Sequence, residues 1–258
     1  MPQPLTDAIN ALTTYANTVT GKSPPDTTLS DAVATLASGY GQGGGWSTDG
    51  IASKTEPSGA ITISNAVETI ASRAFSECQN ITEVTIEGNP YFGTYAFQNC
   101  RNMETLNTPN VTTLKSGYYS TTQFVFDGCS KLKGVVFPNF GNNKVDSYIF
   151  RNCTNLTYAD FKNMSALGGA DVFDRTSLNV LILRKTDGVT SLAGINVFGS
   201  TPFASNGTGG TLYVPANLKT QYEQANNWST ILGYANNSIQ AIEGSYYETH
   251  YADGTPIE

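Results

Sequence analysis

Between residues 61 and 183 the apolar positions follow a short pattern that recurs along the chain. From Ile70 to Ile86 they stand at Ile70, Ala74, Phe75, Cys78, Ile81, Val84 and Ile86, with polar residues between. The last three lie at offsets 0, +3 and +5, repeated later as Leu132, Val135, Phe137 and as Leu156, Ala159, Phe161. The step from +3 to +5 alternates apolar and polar, the period of a short half-buried strand. The tighter segment before it carries an Ala-Phe or Val-Phe pair. It predicts a turn or short helical piece whose phenylalanine plugs the core between strands.

The repeat is marked most sharply by cysteine. Phe75–Cys78, Phe97–Cys100, Phe126–Cys129 and Phe150–Cys153 share a three-residue step, and the cysteines follow one another at 22, 29 and 24 residues. Ile81, Met103, Leu132 and Leu156 come three residues after each cysteine. A fifth unit, Phe173, Thr176, Leu178, Leu181, Leu183, lacks the cysteine and drops one residue. A sixth is looser, with Phe198, a Gly- and Ser-containing insert, then Thr211-Leu212-Tyr213-Val214-Pro215. Ile61-Thr62-Ile63 opens the series. A unit of this length cannot bury its apolar face alone, whereas stacked units bury a continuous core, and five or six exceed the roughly three that stability requires. Recurring at one position, the cysteines read as a buried ladder of small apolar side chains. Disulfides between adjacent rungs remain open on geometry.

These motifs closely resemble the BspA-type (Treponema pallidum-type) leucine-rich repeat, whose units read as a strand followed by Ile-x-x-x-Ala-Phe-x-x-Cys-x-x-Leu. The resemblance runs from about Ile61 to Gly244, including Leu212-Tyr213-Val214-Pro215-Ala216-Asn217 and on through Tyr222, Trp228 and Ile239, which is similar to the C-terminal end of such arrays. An insertion around Ser116–Thr122 departs from it. The resemblance implies an α/β solenoid: a leucine-rich repeat array of short parallel strands with irregular or short helical returns.

Residues 1–40 follow another rule. Leu5, Ile9, Leu12 and Tyr15 recur at helical spacing, as do Leu29, Val33 and Leu36, with a breaker cluster around Pro24-Pro25 between them. Two helices of about three turns cannot hold a core alone. They either fold back as a cap on the solenoid or serve attachment and oligomerisation, with Leu5, Ile9, Leu12, Leu29, Val33 and Leu36 as the assembly residues. The segment resembles N-terminal modules of phage and prophage structural proteins. Residues 41–50 form a Gly-rich linker, 51–244 the solenoid with its C-terminal cap, and 245–258 a tail.

Composition narrows the function. The 258-residue chain has a charged fraction of only 14% and a net charge of −7, against about 25% charged residues in an average domain. Nucleic acid is excluded, since binding it requires clustered cations. No apolar run approaches the ~18 residues that span a bilayer, so membrane insertion is not expected. The first residues carry neither the basic region nor the apolar core of a secretory signal. No motif requires a cofactor or metal: there is no Cys-x-x-Cys, and the one histidine is His250 in the tail. Thr20-Gly21-Lys22-Ser23 lacks the earlier glycine of a phosphate loop. A hydrolytic triad lacks a marked base, and no pair of carboxylates stands out.

The strand positions at +2 and +4 should point outward and align across the sheet. In the early units they are polar. Later they carry Val136, Tyr158, Val180, Ile182 and Tyr213, an apolar-aromatic stripe with Asp160 and Arg184 nearby, which together form the candidate binding surface. Either a ligand or partner occupies that stripe or the tyrosine-rich tail folds over it. Taken with the two resemblances, these features lead to a non-enzymatic expectation: a virion-associated phage or prophage protein assembled in the host cytoplasm. Residues 1–40 would join it to other virion proteins or to itself as a homo-oligomer, and the array would meet a host-surface protein or glycan. A BspA-like adhesin at the bacterial cell surface, or secreted, is the alternative.

Overall fold

A computed structural model describes residues 57–114 and 124–257. The helical reading of residues 1–40, the linker at 41–50 and the insertion around residues 116–122 lie outside the described residues. Within them the chain is a parallel β-solenoid of about eight turns. Eight strands form its main sheet: β1 (Gly59–Ile63), β3 (Ile81–Ile86), β5 (Thr105–Asn107), β6 (Gly134–Phe137), β8 (Tyr158–Phe161), β10 (Val180–Leu183), β12 (Thr211–Val214) and β13 (Ser238–Ala241), stacked in that order. Two-residue strands line the return arm. β2 (Thr69–Ile70) pairs with β4 (Tyr91–Phe92), and β7 (Lys144–Val145), β9 (Ala166–Leu167) and β11 (Ser191–Leu192) form a second ladder.

The expected inward positions are buried. Ile81, Val84 and Ile86 are fully enclosed, as are Leu156, Ala159 and Phe161. The repeat phenylalanines form one continuous stack through the core. Ring centroids are 4.9 Å apart for Phe75–Phe97, 5.4 Å for Phe97–Phe126, 5.6 Å for Phe126–Phe150, 5.7 Å for Phe150–Phe173 and 6.1 Å for Phe173–Phe198. Each ring lies within 12° of parallel to the next. The column ends on Trp228, whose indole N–H donates to the Thr190 carbonyl at 2.7 Å, while the Tyr222 hydroxyl accepts from the Thr190 N–H at 2.9 Å. Those two residues sit on α1 (Lys219–Gln224) and α2 (Trp228–Leu232), which close the C-terminal end of the core.

Up to β12 the returns are turns, and among the described residues of those returns only Ile195–Phe198 forms a helical piece, a 3₁₀ turn. The residues two before and two after the first five repeat phenylalanines take left-handed backbone conformations: Arg73 and Glu77, Tyr95 and Asn99, Phe124 and Gly128, Tyr148 and Asn152, Asp171 and Arg175. Such angles disfavour side chains. Hydrogen bonds to the next rung hold them, as from the Phe75 N–H to the Ala96 carbonyl and from the Glu77 N–H to the Gln98 carbonyl, both 2.7 Å.

All four cysteines are buried and none is disulfide-bonded, so no disulfide joins the rungs. The thiols of Cys100, Cys129 and Cys153 donate to the carbonyls of Phe75, Phe97 and Phe126 in the preceding rungs, at 3.0, 3.2 and 3.1 Å. Burial pushes the Cys129 and Cys153 thiols far above the ordinary thiol range. In the fifth and sixth units threonine stands in their place. Thr176 donates to the Phe173 carbonyl at 2.9 Å and accepts from the Leu178 N–H, and Thr201 does the same between Phe198 and Phe203. The hydroxyl closes the turn on itself, which explains the missing residue.

Candidate binding surface

Register carries the outward side chains into two columns. One runs Thr62, Thr85, Asn107, Val136, Asp160, Ile182, Tyr213, Gln240; in the other Ala60, Glu83 and Thr105 align, as do Gly134, Tyr158, Val180, Thr211 and Ser238. Apart from Ala60, their early positions are polar, with Thr62, Thr105 and Asn107 exposed and Glu83 and Thr85 half-buried. The Asn107 carboxamide donates to Glu83 at 2.8 Å and to Thr85 at 3.1 Å, both exposed contacts.

The late half of the face is different, because the C-terminal tail lies on it. Asp160 and Arg184 form a bidentate ion pair, with Nε donating to Oδ1 at 2.7 Å and Nη2 to Oδ2 at 2.8 Å. Their remaining capacity goes to tail main chain. Arg184 donates to the carbonyls of Tyr247 at 2.7 Å and His250 at 3.0 Å, and Asp160 accepts from the Ala252 N–H at 3.0 Å. Tyr251 places its ring 5.2 Å from the guanidinium carbon, and Tyr247 meets Tyr213 edge to face at 4.6 Å. The tail itself is a small hairpin, closed by the Tyr251 N–H to the Thr255 carbonyl and the Ile257 N–H to the Thr249 carbonyl. Burial pushes the Asp160 carboxyl above its ordinary value, opposed by its bonds to Arg184. Burial likewise raises the Tyr247 and Tyr251 phenols.

The predicted stripe is therefore brought together in space, but much of it is an internal contact. Ile182 is 0% exposed and Asp160 1%. Both stand in an outward column, yet both are buried, and the tail main chain bonds to Asp160, as in the alternative in which the tail folds over the stripe. Arg184 is largely enclosed with them, its side chain 11% exposed. Val136, Tyr158, Val180 and Tyr213 remain half-buried. The Tyr158 ring lies across Gly134: a methyl group on that glycine would stand 2.1, 2.2 and 2.4 Å from three neighbouring ring atoms, a face-on approach. Sequence reasoning missed β13 and the residues it supplies, Ser238 and Gln240. The signal for it was thin, a lone Ile239 between polar residues. Among the described residues no group of His, Cys, Asp and Glu could hold a metal ion. No helix there is long and apolar enough to cross a membrane.

The model of the BspA-type leucine-rich repeat region, in six copies, matches residues 53–123 and 111–203. That is more than half the chain, which therefore belongs to this family of repeat proteins, in general non-catalytic, protein-binding scaffolds. Among solved structures, a leucine-rich repeat protein from Bacteroides ovatus is similar at 16% identity, with 71% of this chain and 62% of that chain covered and a TM-score of 0.25. The present chain thus spans less than two thirds of that protein's length. No curated protein shows significant similarity to the chain.

Proposed function

We propose that this chain is a recognition component of a phage or prophage particle, held there by residues 1–40 and binding a host-surface protein or glycan through the outer face of its repeat array. The observation that supports it is the division of that face. Rungs β1, β3 and β5 offer a polar surface of Thr62, Glu83, Thr85, Thr105 and Asn107, while the chain's own tail occupies later rungs. The two amphipathic segments and the Gly-rich linker before the array supply the attachment end.

Light scattering at matched concentration on the full chain and on a chain beginning at Trp46 tests attachment through self-assembly. An oligomeric full chain and a folded monomeric truncation are the expected pair. Two monomers would remove self-assembly and leave residues 1–40 as a docking segment for another protein or a cap on the array, which favours a cell-surface adhesin instead.

A further inference from the structure

Where β12 and β13 meet the root of the tail, their outward side chains wall a groove of about 370 Å³. It is lined by Thr211, Tyr213, Ser238, Gln240, Glu243 and Ser245, with Ala241 and Gly244 between them. That size lies at the small end of ligand clefts, about 300–1,000 Å³. The positions are set by strand register: Thr211 pairs with Ser238 and Tyr213 with Gln240. The Thr211 and Ser238 hydroxyls lie 3.0 Å apart and share one hydrogen bond, which leaves each further capacity. One Glu243 oxygen accepts from the Ala216 N–H at 2.8 Å, which orients the carboxylate. Tyr213 is steadied by its edge-to-face contact with Tyr247. The groove is thus built on strands and on a docked tail, so its polar groups are held in place before any ligand arrives.

The chemistry selects the ligand. Hydroxyls and a carboxamide both donate and accept, a carboxylate accepts, and a tyrosine supplies an aromatic wall. No lysine or arginine lines the groove. A phosphate or acidic sugar would meet Glu243 without a compensating cation. An apolar ligand would strip water from the hydroxyls and the amide without replacing their bonds. A small, uncharged, hydroxyl-rich ring with one apolar side satisfies both conditions. We infer that this groove binds a neutral saccharide, with Gln240 and the Ser238–Thr211 hydroxyl pair bonding its hydroxyls and Tyr213 packing against its ring. The inference rests on reading the array as a recognition surface, and it names the chemistry recognised.

The test uses the full chain and a panel of free sugars: maltotriose, cellotriose, tri-N-acetylchitotriose and lactose, with sialyllactose as the acidic comparison. Ligand-observed saturation-transfer NMR should show contact with at least one neutral member and none with sialyllactose. Gln240 is exposed and makes no part of the core, so Gln240→Ala should keep the unfolding midpoint and weaken that sugar's Kd at least tenfold. Silence across the neutral panel at millimolar sugar, or wild-type binding by both Gln240→Ala and Ser238→Val, overturns the inference. Retention of the chain on bacterial envelopes and animal-cell membranes separates the two levels. Retention abolished by periodate supports a saccharide ligand. Retention that survives periodate but not protease overturns the saccharide and leaves recognition standing. No retention on any surface, together with a silent panel, removes both.

Discussion

Position 134 shows how a single side chain shapes this surface. Glycine inside a strand weakens it and commonly marks a close approach. Here the approaching group is the Tyr158 ring, laid over the glycine from the next rung, which makes an outward position buried. Gly134→Ala puts a methyl into the ring, and overpacking of that kind costs about 1–3 kcal/mol. Tyr158→Ala removes the obstruction, so in the double variant the alanine at 134 should be nearly free. Urea unfolding of the four members of the cycle measures this. Equal cost of Gly134→Ala with and without the ring would show that the strand backbone, and not Tyr158, sets the requirement for glycine.

The elements of the array were largely legible because burial repeats. Ile81, Val84 and Ile86 recur as residues of the same type at the same offsets, and the phenylalanine column is visible as a spacing before it is visible as a stack. The left-handed turn residues were not legible. Nine of those ten positions carry side chains instead of the glycine that announces such a conformation, since rung-to-rung hydrogen bonds impose it. The tail's place over the stripe was legible only as an alternative, from its tyrosines, because Arg184 and Asp160 grip it mainly through its main chain. Main-chain recognition leaves no pattern in the sequence of the tail. The grip has a pH signature. Arg184→Met leaves Asp160 buried with no cation, at a cost of about 3–5 kcal/mol. The Asp160 value already stands above that of an unfolded aspartate, and loss of Arg184 raises it further. A carboxyl raised on folding favours the folded chain below its folded value and opposes it above. The variant's deficit should therefore be largest at neutral pH and shrink as pH falls through that raised value. Unfolding midpoints of variant and wild type at pH 7 and pH 4 measure the difference. A deficit that grows on acidification would mean that Asp160 is ionised and otherwise satisfied without Arg184.

At the scale of the whole molecule, a solenoid is stabilised by contacts between neighbours, so its ends decide whether it stays closed. The C-terminal end has two coverings that do different things. Trp228 and Tyr222 terminate the phenylalanine column itself and are buried at 1% and 0% exposure. The tail after Gly244 lies over Asp160 and Arg184 and meets Tyr213 edge to face, on the far side of the sheet from that column. A Trp228→Ala change should open the core end and cost about 3–5 kcal/mol. Removal of residues 245–258 should leave the column closed and cost less. Its larger effect should be on the surface, where Tyr213 and its apolar neighbours become open. An environment-sensitive apolar dye should then bind the truncated chain and not the intact one, and the truncated chain should self-associate at concentrations where the intact chain does not. Guanidinium unfolding and dye fluorescence of the two variants decide the matter. If the truncation costs as much as Trp228→Ala, the tail belongs to the cooperative cap of the solenoid and cannot be a cover that leaves the fold intact when it lifts.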